Sequence, residues 1–141
     1  MFPFSIAKLI FTTNLFGHFN EFYSIFAEVL CDLGLEYEIN NLNTHIKKRH
    51  SLEDIKIIIK RNKFSVKKII QENYVMRFVD GNSFFNHYFI KLAFLQDWKE
   101  IINEDNWNNV FFNLENRLND IASKKGEIVF NVPMAYIECE K

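Results

Sequence analysis

The stretch Leu9-Ile10-Phe11-Thr12-Thr13-Asn14-Leu15-Phe16-Gly17-His18-Phe19-Asn20-Glu21-Phe22-Tyr23 decides how this chain is read. An apolar strand, Leu9 to Phe11, delivers small polar groups, one Gly, one His and one Glu into a turn that opens a helix. Turns at the carboxyl end of a strand are where open α/β sheets put their chemistry. No glycine-rich nucleotide loop stands before this turn in the sequence. The reading is therefore of the second half of an enzyme.

Downstream, Phe22, Ile25, Phe26, Val29, Leu30 and Leu33 recur at helical spacing, and Gly34 stops that helix. A weaker helix is predicted over 36–48. Ser51 followed by Asp54 has the form of a capping box, so a third helix begins there, with Leu52, Ile55, Ile58 and Ile59 as its stripe and Asn62 as a left-handed cap. From Phe64 to Val79 the pattern is β, ending on Asp80-Gly81 as a turn. Ser83 is predicted to cap a Phe-rich helix whose polar stripe is Ser83, His87 and Lys91. A short helix around Trp98 and a long one from about Asn106 to Lys124 follow. Gly126 ends the long helix, and Glu127 to Glu138 closes as a strand. Pro133 predicts that this strand is an edge or carries a bulge, because proline cannot donate to a ladder.

The composition fits one packed domain over residues 1–141, with 48% hydrophobic residues, 16 Phe, four Gly and two Pro. Cys31 and Cys139 form no CxxC pair and read as buried free thiols in a reducing compartment. The N-terminal run Met1-Phe2-Pro3-Phe4-Ser5-Ile6 lacks the basic start and cleavage site of a signal peptide, and Lys8 interrupts it. No stretch approaches the roughly 18 apolar residues of a membrane span. A soluble, cytoplasmic protein is expected, with no membrane partner.

Charge is uneven. Residues 47–68 hold nine of the 17 Lys and Arg against two acids, so a net +7 there leaves −8 elsewhere. Such a strip could attract an acidic partner, or it is a solvated helix face. No aromatic-interleaved RNA motif accompanies it, so nucleic acid is not expected. His45 and His50 lie five apart and do not share a helix face. No Cys or carboxylate stands at metal spacing, so no metal is expected.

The order strand, helices, strand, helices, strand predicts an α/β fold, and three motifs narrow it. They are Thr12-Thr13-Asn14 with Gly17-His18 and Glu21-Phe22-Tyr23; Arg77-Phe78 with Asp80-Gly81, Asn86-His87 and Phe89-Ile90; and Pro133-Met134-Ala135-Tyr136-Ile137. Together they resemble the C-terminal half of a class I S-adenosylmethionine-dependent methyltransferase of the type-11 and type-12 kind, across residues 8–141. The resemblance implies a partial Rossmann-like sheet in which residues 9–14 are the fifth strand, the strand after Lys63 the sixth, and the strand after Gly126 the seventh. The seventh would run antiparallel between the other two. Segments 19–50 and 82–124 become helical insertions on the substrate side.

What the resemblance leaves out matters equally. The family holds its cofactor on a glycine-rich turn after the first strand, with an acidic residue after the second. Neither is present, so no cofactor-binding residue is assigned and S-adenosylmethionine is not expected to bind this chain alone. The full enzyme would pass a methyl group to a small-molecule acceptor; the isolated chain should not. The implied partners are an N-terminal methyltransferase half or a second copy of the chain, and truncation of an ancestral gene is one origin. The alternative is a non-catalytic interaction module that uses the exposed first strand or the basic segment 47–68.

Site candidates follow from the turn. His18 and Glu21 sit three apart at a helix mouth, so His18 could act as an acceptor-side base with Glu21 orienting it. The competing reading is that Glu21 suits the helix N-terminal dipole and His18 packs in the turn. Asn14, His18, Tyr23, Arg77 and His87 are the substrate-side candidates. Phe84, Phe85, Tyr88 and Phe89 either line an aromatic pocket or form core.

Overall fold

A computed structural model describes residues 5–141; Met1 to Phe4, on which the N-terminal reading partly rests, lie outside the described residues. The fold is α/β, with a three-stranded antiparallel sheet and several helices. Its strands are β1 (Lys8–Asn14), β2 (Ser65–Phe78) and β3 (Ile128–Glu140), in the order β1-β3-β2. β1 runs antiparallel to β3 from Lys8↔Glu140 to Asn14↔Met134. The helices are α1 (Asn20–Asp32), α2 (Glu36–Lys47), α3 (Leu52–Arg61), α4 (Gly81–Asn86), α5 (Tyr88–Ala93), α6 (Leu95–Ile101) and α7 (Trp107–Lys125). No helix among the described residues is long and apolar enough to cross a membrane.

The chain divides into two compact units. The first takes residues 5–18, 49–74 and 132–141. Its core is Leu15, Ile55, Ile59, Ala135, Ile137 and Cys139, with Phe11, Leu52, Phe64, Val66 and Ile69 packed against them. Helix α3 supplies one side of that core because its apolar residues recur every three or four positions. Ser51 starts the helix by a full capping box: its hydroxyl accepts from the Asp54 N–H at 3.2 Å, and Asp54 Oδ2 accepts from the Ser51 N–H at 3.0 Å. The Ser51 hydroxyl, donating to Asp54 Oδ2 at 2.8 Å, and then the Ser51 N–H hold the Asp54 carboxyl below its ordinary range.

The end of α3 corrects one expectation. Asn62 is right-handed, at φ −87°, and the left-handed residue is the next one, Lys63, at φ 64°. Lys63 N–H donates to Lys60 C=O at 3.0 Å, and Phe64 N–H donates to Ile59 C=O at 3.1 Å, the two bonds of a Schellman motif. A Cβ at that conformation costs about 1–2 kcal/mol. Lys63→Gly is therefore expected to raise stability by roughly 1 kcal/mol in urea unfolding. A loss instead would mean that the lysine chain, not its backbone, matters there.

Pro133 corrects one of its two expectations, the edge, since β3 is the central strand. The reason lies in the ladder. Within an antiparallel strand a residue's N–H and C=O point to the same side. Pro133 C=O accepts from Leu15 N–H at 2.8 Å, one step beyond the last β1 pair, so the missing donor also lies on the β1 side. The acceptor it would have met, Leu15 C=O, takes the His18 N–H at 3.2 Å. Proline is thus tolerated where the neighbouring strand leaves the sheet. Burial changes phase at the same point, from Ile128, Phe130 and Val132 to Ala135, Ile137 and Cys139.

The second unit takes residues 19–48 and 75–131. Phe19, Phe22, Phe26, Phe84, Trp98 and Phe130 are fully buried in it. Helix α1 ends as predicted at Gly34, φ 71°, with Leu35 N–H donating to Leu30 C=O at 2.8 Å. The Phe-rich helix differs from its prediction. Asp80, not Ser83, is the cap, and the pair forms a capping box, with Ser83 N–H donating to Asp80 Oδ1 at 2.7 Å. Asp80-Gly81 therefore starts a helix where a turn was expected. His87 then breaks the helix with an extended backbone, ψ 130°, so Ser83, His87 and Lys91 form no stripe. The break leaves Phe84 and Ile90 buried while Tyr88, Phe89 and Leu92 stay exposed. Cys139 is buried, which raises its thiol pKa, whereas Cys31 is exposed rather than buried.

Candidate functional site

The strand-to-helix turn is built by its backbone. In the first unit β1 ends at Asn14, half-buried and paired in register with Met134. Gly17 takes φ 100°, which glycine adopts without steric cost, and Phe16 N–H donates to His50 C=O at 2.9 Å. His18 is left 3% exposed. Burial, aided by the nearby Arg49 charge, lowers its pKa from 6.5 to about 4. The imidazole is therefore neutral at physiological pH.

That depression has a signed consequence. The folded-state pKa lies below the unfolded one, so the unfolded chain binds more protons between about pH 4 and 6.5. The stabilisation is complete above pH 6.5 and is lost as pH falls through that window. Denaturant midpoints measured from about pH 7 to 4.5 are expected to fall more steeply for the natural chain than for His18→Gln. Parallel slopes would mean that the ring titrates normally in the folded protein.

In the second unit the helix mouth has its own geometry. Phe19, just before α1, adopts φ 57° and carries no side-chain cap. Its N–H donates to Asn131 C=O at 3.0 Å. The Glu21 carboxylate accepts from the Asn131 N–H at 3.2 Å and from the Asn131 side-chain amide. Phe19 and Glu21 thus satisfy backbone groups of β3 beyond the reach of the β1 ladder. This is an observed structural task for Glu21, beside the two considered for it from sequence, orienting His18 or complementing the helix dipole.

The remaining candidates have separate surroundings. Tyr23 is buried; its hydroxyl accepts from Trp98 Nε1–H at 3.2 Å and shares a hydrogen bond with His45 Nε2 at 3.1 Å. Arg77 is exposed and ion-paired with Glu127. His87 stands at the α4–α5 break, edge-on to Phe78 with centroids 5.6 Å apart. Glu21, Tyr23, Arg77 and His87 are all in the helical unit and engage different partners. Asn14 and His18 belong to the sheet unit.

Two groupings escaped the sequence reading. One is the Tyr23–His45–Trp98 chain, whose members are up to 75 residues apart. The other lies wholly in the sheet unit, a concavity of about 280 Å³ lined by Thr12, Ile70, Glu72, Tyr74, Met134 and Tyr136. The period-two spacing of Ile70, Glu72 and Tyr74, and of Met134 and Tyr136, is the signal that could have found it. Among the described residues no group of three or more His, Cys, Asp or Glu is arranged to hold a metal ion. No protein-family model matches the chain, and no curated protein matches it.

Proposed function

We propose that the chain is the substrate-side half of a Rossmann-like methyltransferase sheet, lacking the cofactor site and inactive in methyl transfer by itself. The observation that supports this is the strand order β1-β3-β2, with β3 antiparallel to β1. It is the order that the family resemblance implies for strands five, seven and six. Among the described residues β1 is an edge strand, and an open edge is a template for a further strand such as the fourth of that family's sheet. The residues do not fit S-adenosylmethionine. Gly17 stands alone in its turn, a Cβ there would meet only Pro133 Cγ at 3.6 Å, and no second glycine or acidic ribose ligand accompanies it.

Calorimetric titration with S-adenosylmethionine and S-adenosylhomocysteine tests the reading. The folded chain is expected to give no heat of binding. Binding at micromolar strength would place a cofactor cradle in these residues and overturn the proposal. A separately expressed partner carrying a glycine-rich first-strand turn is expected to restore cofactor binding when mixed with this chain.

A second reading, a non-catalytic interaction module, draws on specific observations as well. Leu9 and Ile10 are 43% and 55% exposed on an edge strand, and residues 55–71 carry six cations and no acid. A stable complex with an acidic protein that survives mixing with the cofactor-bearing half would favour it.

A further inference from the structure

We propose that the concavity on the open face of the sheet unit is a binding site for a small organic cation carrying a methylated ammonium group. The inference rests on that face alone and is independent of the methyltransferase reading. Ala135, Ile137 and Cys139 of β3 pack into the core with α3. Alternation leaves Met134, Tyr136 and Glu138 for the other side. There Tyr136 meets Tyr74, Glu72 and Ile70 of β2 and Thr12 of β1 around a space of about 280 Å³. That is at the small end of ligand clefts and suits a headgroup rather than a whole cofactor.

The chemistry of the wall selects the charge. Two tyrosine rings, a thioether and a carboxylate line it, and no cation does. Aromatic faces carry negative potential and attract ammonium groups, most strongly those whose methyl groups weaken hydration. Each ring is also coupled to a carboxylate. Tyr136 Oη donates to Glu138 Oε1 at 2.5 Å, and Tyr74 is hydrogen-bonded to Glu72. A phenol that donates to a carboxylate gains electron density, which strengthens its face toward a cation. The same bonds raise both tyrosine pKa values, so the hydroxyls stay protonated and donating at neutral pH. Tyr74 is 53% exposed, so a ligand reaches it without any opening motion. An anion would meet the Glu72 carboxylate and no cation in the wall, and a neutral apolar group would leave Glu72 unused.

The test uses the whole chain labelled with ¹³C at the methionine methyl groups, with Met134 as reporter and Met76 as internal control. Choline is titrated at constant ionic strength against 3,3-dimethylbutan-1-ol, which has the same shape without the charge. A saturable shift of Met134 is expected at millimolar choline, with binding at least about tenfold weaker for the neutral analogue. Tyr74→Leu and Tyr136→Leu are each expected to weaken choline by about fivefold or more, whereas Tyr74→Phe, which keeps the ring, stays within about threefold. Comparing choline with a trimethyl-lysine peptide separates a free metabolite from a modified protein tail as the source. An absent shift, equal affinity for the neutral analogue, or unchanged binding by the folded leucine variants would overturn the proposal.

Discussion

Phe22→Ala is expected to cost the protein about 3–5 kcal/mol, a third or more of what a domain of this size usually has. Phe22 is fully buried. Its ring lies 4.5 Å from Trp98, 5.1 Å from Phe84 and 5.8 Å from Phe26, centroid to centroid. Removing it forfeits the transfer free energy of the ring and leaves a void bounded by other rings. Those rings are fixed by their own backbones in α1, α4 and α6 and can relax only partly. Each aromatic pair adds about 0.5–1.5 kcal/mol beyond area burial, which pushes the site toward the upper end. Guanidinium unfolding followed by the fluorescence of Trp98 and Trp107 measures it. Phe22→Leu, which keeps most of the volume, should lose less and remain folded if the alanine variant does not. A loss below about 1.5 kcal/mol for alanine would mean that the aromatic cluster is loosely packed.

Gly81→Ala sets two effects of opposite sign against each other. Gly81 is the first residue of α4, and its φ lies outside the left-handed region. Helix propensity alone would favour alanine by about 0.5–1 kcal/mol. Packing opposes this. An added Cβ would come 2.7 Å from the Glu115 carbonyl oxygen and 3.1 Å from both Asn119 Oδ1 and Glu115 Cγ. The nearest of these is backbone of α7 and cannot rotate away. The Gly81 N–H also donates to Asn119 Oδ1 at 2.8 Å, so moving α4 outward breaks a partly buried hydrogen bond. Overpacking costs about 1–3 kcal/mol and the lost bond about 1 more, so packing wins. A net loss of about 2–3 kcal/mol in urea is expected. A gain would mean that α4 and α7 separate freely.

Local chemistry in this chain is legible from sequence, and non-local chemistry is not. The stripe of α1 and its stop at Gly34 are written within fourteen residues, as is the Ser51–Asp54 box. Asp80 was misread because Asp-Gly suits a turn as well as a helix start, and only the packing of α4 on α7 distinguishes them. The α4–α5 break falls on Asn86-His87, where no Gly or Pro announces it. The edge alternative for Pro133 fails because its tolerance depends on where β1 ends, far away in sequence.

The site follows the same division. His18 and Glu21 could be placed on one turn from spacing. Their burial and bonding depend on partners that spacing does not reveal. Glu21 bonds to Asn131, 110 residues on, and His18 is desolvated by a burial that its own turn does not announce. The aromatic concavity was hidden because its rings come from β2 and β3, and only the ladder brings those strands together.

The sheet order also fixes a sequence of events in time. β3 follows β1 and β2 in sequence yet lies between them, and its pairing begins at Lys8↔Glu140, across most of the described residues. Until residues 132–141 have been synthesised, β1 and β2 have no strand between them. During that interval Leu9, Ile10 and the apolar residues of β2 face the ribosome's surroundings as open template. Loops that long close slowly, so this protein should refold on the millisecond-to-second scale of non-local β topologies rather than at helical speed. Its vulnerable moment is the interval before β3 is made, and a nascent chain halted after Asn131 is the species that would be held by chaperones or lost to aggregation.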